Sequence, residues 1–237
     1  MFYKKTNHPK GSKKLIGAWA LYDWANSVYS LVISSAIFPI YYSQYVFSQT
    51  NSVEIFNLDI NKDTLISSVS GFSFLLIAIL SPLLSGIADF IGNKKIFMKF
   101  FVYMGSFSCI GLYWFEIETI QISLLFYTLG LIGFWGSLVY YNSYLTDITY
   151  PNQTNKVSAK GYTMGYIGSV ILLLINLIMI NFHEFFGFSS EIYAMKSSFA
   201  IVGVWWLSFS QYSFYHLPTG NKSAKIQKIL FVMDLKS

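Results

Sequence analysis

The sequence predicts an all-α membrane protein of six transmembrane helices, and three observations predict it. The first is composition: of 237 residues, 54% are hydrophobic and 11% are charged, against roughly 45–50% and 25% in soluble domains. So few charges do not cover a water-facing surface of that size. The second is a recurrence of uncharged runs of about 20 residues or more, the length that crosses about 30 Å of hydrocarbon. The third is the gathering of lysines into alternate loops. A disordered chain and a collagen-like repeat are excluded by the same composition. A disulfide-stapled miniprotein is excluded because Cys109 is the one cysteine.

The elements follow in order. Residues 24–53 carry no charge, and with 15–22 ahead of Asp23 they allow a first span near residues 16–45. The lysines before it resemble the n-region of a signal peptide. The apolar stretch is about twice too long for one, and no small-x-small site closes it, so an uncleaved first helix is expected. Further spans are expected over 64–88, 96–115, 119–146, 161–182 and 197–215. The third is interrupted only by Lys99, close enough to its end to snorkel to the interface. These runs are apolar all round, unlike the 3.6-residue alternation of soluble amphipathic helices. Pro39 and Pro82 are expected to bend the first two spans.

Lysine placement orients the bundle. All 16 basic residues are Lys, and 14 of them fall on one side: Lys4, Lys5, Lys10, Lys13, Lys14, then Lys94, Lys95, Lys99, then Lys156, Lys160, then Lys222, Lys225, Lys228, Lys236. Lys62 and Lys196 fall opposite, with Glu54, Asp59, Asp63, Glu116, Glu118, Glu184 and Glu191. The positive-inside rule then places both termini in the cytoplasm. The expected division is a basic cytoplasmic N-terminus over 1–15, a six-helix bundle over 16–216 and a basic cytoplasmic tail over 217–237. In that tail Ile226, Ile229, Leu230 and Met233 form a short amphipathic pattern, suited to lying on the membrane surface. A multi-pass protein of the plasma or inner membrane is expected, its partner the lipid bilayer. The net charge of +5 is explained by this asymmetry and does not imply nucleic acid.

Asp23 is the most informative residue. It follows Lys14 by nine residues, roughly 13 Å of helix at 1.5 Å per residue, which puts it near mid-bilayer. A lone carboxylate there costs at least about 2.5–3.5 kcal/mol, so it calls for a polar cavity, a partner or a proton. Tyr22, Trp24, Asn26 and Ser27 surround it with polar and aromatic groups. Two readings stand: a substrate or proton site in a translocation path, or an interhelical hydrogen bond that locks packing.

Between the second and third spans runs Ser85-Gly86-Ile87-Ala88-Asp89-Phe90-Ile91-Gly92-Asn93-Lys94-Lys95. A turn this tight calls on Gly92 for its permissive backbone. Asp89 is placed to bond helix termini, while Lys94 and Lys95 are placed to meet anionic headgroups; an ordinary short turn is the alternative. The fourth span closes on Tyr140-Tyr141-Asn142-Ser143-Tyr144-Leu145-Thr146-Asp147, a polar and acidic cluster. In the fifth, Gly161 and Gly165 form a GxxxG face with Gly168 beyond it, which permits close helix approach. Gly130, Gly133 and Gly136 give the fourth span a similar small face.

Enzymatic readings find little. His8, His183 and His216 show no metal-ligand spacing, and Walker and dinucleotide-binding glycine patterns are absent. A membrane serine hydrolase would need Ser73 or Ser106 beside His216, which falls at a helix end. No enzyme, metal or cofactor is expected.

Residues 85–95 resemble the loop-2/3 signature of the major facilitator superfamily, roughly GxLADxxGxKK. Ser85 stands where the first Gly is usual, and Phe90 replaces the frequent Arg, removing a charge partner. Ala18-Trp19-Ala20-Leu21-Tyr22-Asp23-Trp24-Ala25-Asn26-Ser27, followed by Ile37-Phe38-Pro39, resembles the opening of the UMF1, or Atg22-like, branch. Tyr141-Asn142-Ser143-Tyr144-Leu145, Ser158-Ala159-Lys160-Gly161 with Gly165-Tyr166-Ile167-Gly168, and Gln211-Tyr212-Ser213-Phe214-Tyr215 before Leu217-Pro218 resemble it too. The resemblance covers about residues 14–220 and implies the N-terminal six-helix half of a twelve-span bundle, a pair of three-helix inverted repeats. It implies a secondary transporter of small organic solutes, amino acids among them, working by alternating access with Asp23 as a proton-coupling candidate. Substrate-pathway residues would be Tyr22, Asp23, Trp24, Asn26 and Asn142, and gating-loop residues Gly86, Asp89, Gly92, Lys94, Lys95 and Asp147. The other partner would be a second six-helix half or a homodimer mate. The alternative is a non-transporting truncated protein or scaffold remnant.

Overall fold

A computed structural model describes residues 8–55 and 57–219, with Asp89 described by its backbone alone. The amphipathic pattern after residue 220, the lysines at 4 and 5 and the Asp89 side chain therefore lie outside the described residues. Helix dominates the chain. Five helices are long and apolar enough to cross a membrane: α2 (Lys62–Ile91), α3 (Lys94–Gly111), α4 (Ile120–Ile148), α5 (Thr154–Asn181) and α6 (Glu191–His216). Each contains most or all of one expected apolar run and extends past it into charged or polar ends.

The expected first span behaves differently. It is helical from Lys13 to Val46, but α1 (Lys13–Val28) covers only 16 residues, about 24 Å of rise. The helix then widens into π-helical turns over Tyr29–Ile37 and Tyr41–Val46, joined by the short α turn Phe38–Ile40 that holds Pro39. Proline has no N–H to donate and crowds the preceding turn, and π turns often mark functional sites. The sequence reading expected a bend at Pro39 and missed the change of helix type on either side of it. It also missed the antiparallel hairpin β1 (Ser52–Ile55) and β2 (Leu58–Asn61) that links this run to α2.

Helix ends follow local chemistry. Ser12 caps α1, accepting from the Leu15 N–H at 3.4 Å, and Asn61 caps α2, accepting from the Asp63 N–H at 2.9 Å. Gly92 ends α2 with φ +70°, a left-handed conformation that only glycine adopts without cost. α3 starts two residues later.

Within the bundle α3 packs on α4, α1 on α5, and α6 against both α1 and α3. Lipid tails are as apolar as leucine, so these contacts depend on close packing and hydrogen bonds. Small residues supply the approach: a methyl placed on Gly133 would fall 2.5 Å from Gly105 Cα and 2.8 Å from the Phe101 carbonyl. The centre is aromatic. Tyr29 lies 5.0 Å from Phe134 and 5.8 Å from Trp206 by ring centroids, and Phe38 lies 4.6 Å from Tyr127. Long-range hydrogen bonds tie helices together: Trp19 Nε1 donates to the Tyr141 carbonyl at 2.9 Å, and Ser213 Oγ to the Ala18 carbonyl at 2.7 Å. At one end Lys196 forms an ion pair with Glu116, and Tyr41 donates to the Phe115 carbonyl at 2.5 Å. α2 stands apart, resting mainly on α4, with Leu65, Ser73 and Ala88 its buried members among the described side chains.

Candidate functional site

α1 and the first π turns, α4 and α5 line a cleft of about 440 Å³ to which α3 and α6 contribute no wall residue. Asp23, Asn26, Ser27, Ser30, Leu31 and Ser35 form one wall; Phe134, Trp135, Leu138, Tyr141 and Asn142 form the second; Tyr162, Tyr166 and Ser169 form the third. Asp23 is the single charged residue on these walls. It is 6% exposed, and Ser27, one turn on, donates a hydrogen bond to Oδ1 at 3.1 Å.

The glycines of α5 make the cleft's inner seam. A methyl on Gly165 would lie 2.5 Å from Ser27 Oγ and 3.2 Å from Asp23 Cγ. At Gly161 it would meet the Trp19 ring at 2.6 Å and the Tyr141 hydroxyl at 2.7 Å; at Gly168, the Trp24 carbonyl at 2.8 Å. These three positions bring the α5 backbone against the Asp23 turn of α1.

Of the residues assigned to the pathway by sequence, Asp23, Asn26 and Asn142 line the cleft. Tyr22 does not line the cleft; it is fully buried behind the wall, its ring 5.0 Å from that of the wall residue Tyr141. Trp24 stacks on Trp205 at 5.5 Å, on the α6 side of α1. Asn26 is 1% exposed and its Oδ1 has no hydrogen-bond partner among the described residues. Trp135, Ser30, Ser35 and Ser169 were missed as wall residues. Their signal was present: Asp23, Ser27 and Ser30, and likewise Tyr162, Tyr166 and Ser169, recur at i, i+4 and i+7, one helix face each.

The residues read from the sequence as a gating loop lie at the lysine-rich end. Lys94 and Asp147 form an ion pair at 2.7 Å, which joins the start of α3 to the end of α4. Lys94 also donates to the Ser143 carbonyl at 3.2 Å and sits 5.1 Å from the Tyr144 ring centroid. Lys95, its neighbour, is buried but makes no such pair among the described residues. Gly86 faces open space on α2. No group of three His, Cys, Asp or Glu side chains converges among the described residues.

The family described as "Vacuole effluxer Atg22 like" matches residues 11–236. A protein of Bacillus subtilis (strain 168), described as the uncharacterized MFS-type transporter YxiO, is 36% identical over 194 residues, which cover 81% of this chain and 44% of that protein. The chain thus spans less than half the length of this curated relative. No solved structure matches the chain. The match over nearly the whole length, together with the helical bundle of membrane-spanning segments, places this chain in the Atg22-like family of major facilitator transporters.

Proposed function

We propose that the chain is one six-helix half of a secondary transporter that moves small organic solutes by alternating access, with Asp23 on the transport path. The observation that carries this reading is Asp23 itself. It is a 6% exposed carboxylate in an apolar helix, opening onto a 440 Å³ cleft walled by three helices. An ionisable group held inside a membrane span marks a substrate or ion path more often than simple packing. The alternative packing role is served here by the glycine seam and by backbone bonds, and needs no carboxylate.

In this reading residues 13–46 form the first of six spans, its π turns completing the crossing, and the spans form two three-helix inverted repeats. Residues 16–216 are the bundle, and the flanking basic segments lie in the cytoplasm with both termini, at a plasma or inner membrane. The wall composition favours an amine-bearing solute, amino acids included: one carboxylate and five aromatic rings, with no lysine facing them. Ammonium groups are attracted to carboxylates and to aromatic faces alike. Proton coupling through Asp23 belongs to the same proposal.

The cleft is half of a site. Apolar side chains of α2 such as Leu75 and Leu83 are about 60% exposed, and Tyr166 of α5 is 72% exposed. A second six-helix half, or a homodimer mate, would cover the face of α1, α2, α4 and α5. Liposomes carrying the chain with and without a co-expressed second half test the proposal. Exchange of labelled amino acids that needs both halves and is abolished by Asp23→Asn is the expected result. Unchanged transport by Asp23→Asn removes Asp23 from the path, and no transport with any partner leaves the non-transporting remnant as the better reading.

A further inference from the structure

We propose a phosphate-binding site at the lysine-rich end of the bundle, built by Lys95 and His216 with Lys14 and His8 at its rim. It is separate from the cleft and does not depend on the transport reading. Lys94 and Lys95 both occupy the first turn of α3, 8% and 4% exposed, and no acidic residue stands in that turn. The N-terminus of a helix carries the positive end of the macrodipole, so two cations there are electrostatically misplaced. Asp147 meets the charge of Lys94 at 2.7 Å. Nothing equivalent meets Lys95, which has neither an ion pair nor a side-chain hydrogen bond among the described residues.

The surroundings of Lys95 are positive. The Lys95 backbone N–H donates to the Thr219 carbonyl at 3.4 Å, which sets the first turn of α3 against the chain three residues past His216. Lys14, His8 and Lys95 act electrostatically on the His216 ring, and Lys99 on Lys95, with no carboxylate in either set among the described residues. His216 is 7% exposed, with Nδ1 unpartnered. Its ring is held by Tyr212 at 4.4 Å and Tyr215 at 4.8 Å, with His8 at 5.8 Å. Thus the N-terminal segment, α1, α3 and α6 each bring a basic group to one place. Buried charge is ordinarily paired, and the partner that suits this group of described residues is an anion that accepts from an ammonium and an imidazole at once. A phosphate oxygen set does this.

Position points to where the phosphate comes from. Tyr212 and Tyr215 are 46% and 67% exposed on the outer surface of α6, and interfacial tyrosines sit at headgroup depth. An anionic phospholipid whose glycerol lies against these rings would place its phosphate at Lys95. A free phosphate would make the same polar contacts without the tyrosines.

Native mass spectrometry of the full chain, released from phosphatidylcholine nanodiscs doped with phosphatidylglycerol, tests the site. Wild type and Lys95→Arg should retain phosphatidylglycerol. Lys95→Gln should retain it about fivefold less, the equivalent of the ~1 kcal/mol that one basic group contributes near an anionic surface. His216→Gln and Lys14→Gln should weaken it in the same direction, and they provide the reading should Lys95→Gln fail to fold. Lys62→Gln, at the opposite end, should not. Undiminished retention in these variants, or an equal loss in Lys62→Gln, overturns the site. In discs of phosphatidylcholine alone, a rise in unfolding temperature with inorganic phosphate that Lys95→Gln abolishes identifies a soluble phosphate as ligand. Phosphatidylglycerol retention without that rise identifies the lipid.

Discussion

Gly168→Ala is the sharpest test of the seam between α1 and α5. The added methyl would lie 2.8 Å from the Trp24 carbonyl oxygen and 2.9 Å from its Cδ2, while a carbon–oxygen contact normally needs more than 3 Å. Backbone cannot rotate out of the way as a side chain can, so the helices must part by several tenths of an ångström. Overpacking of this kind costs about 1–3 kcal/mol. Alanine also gains up to about 1 kcal/mol over glycine in a helix, which masks part of that cost. Gly71→Ala in α2 is the matched control, because a methyl there meets nothing within 4 Å. The difference between the two variants cancels propensity and should equal the overpacking, about 1–3 kcal/mol. Unfolding of the purified chain in mixed micelles, followed by circular dichroism against denaturing detergent, gives both values. Gly168→Ala as stable as Gly71→Ala would refute the close approach of α5 to α1, and with it the placement of Asp23 beside the α5 backbone. Gly165→Ala should be milder, and partly relieved by Ser27→Ala, since its nearest contact is the Ser27 hydroxyl at 2.5 Å.

Asp23→Asn should insert and unfold like wild type, because the amide oxygen can still accept from Ser27, yet transport by the assembled protein or its pH dependence should be lost. Asp23→Lys should accumulate poorly, since it puts a strongly hydrated cation into the same buried position; normal yields of that variant would argue against burial. Asp147→Asn should cost about 1 kcal/mol, a modest figure because the Asp147 side chain is 38% exposed and solvent screens the pair. A double-mutant cycle with Lys94→Gln reads the coupling directly, and a coupling near zero would mean that the ion pair adds nothing. In a Cys109→Ser background, single cysteines at residues 57, 118 and 184 should react with an impermeant reagent from outside, and those at 93 and 152 should not. Strong outside labelling at 93 would invert the orientation drawn from the lysines.

The helical class and the approximate limits of the long apolar helices were legible in the sequence. Both rest on one local quantity, the cost of placing charge in hydrocarbon, and each uncharged run states it without reference to any other part of the chain. Asp23 was legible for the same reason, as a charge where charge is expensive. Even two of the cleft's three walls left a trace, in polar residues repeating at helical spacing from Asp23 and from Tyr162. What the tertiary structure decided is direction and partnership. Tyr22 and Trp24 flank Asp23 in sequence but point into other contacts, because neighbours on a helix are about 100° apart around its axis. Lys94 and Lys95 are adjacent lysines in different circumstances, one paired to Asp147 and one with no ion pair among the described residues. No local rule separates them, since the difference depends on which helix end lies beside each ammonium. The π turns after Val28 belong here too: they carry Tyr29 and lead into Phe38, whose rings pack against Phe134 and Tyr127 of α4, Trp206 of α6 and Phe115 beyond α3. Hydropathy is additive along a chain, whereas packing depends on pairs of residues far apart in it, and only the folded bundle brings those pairs together.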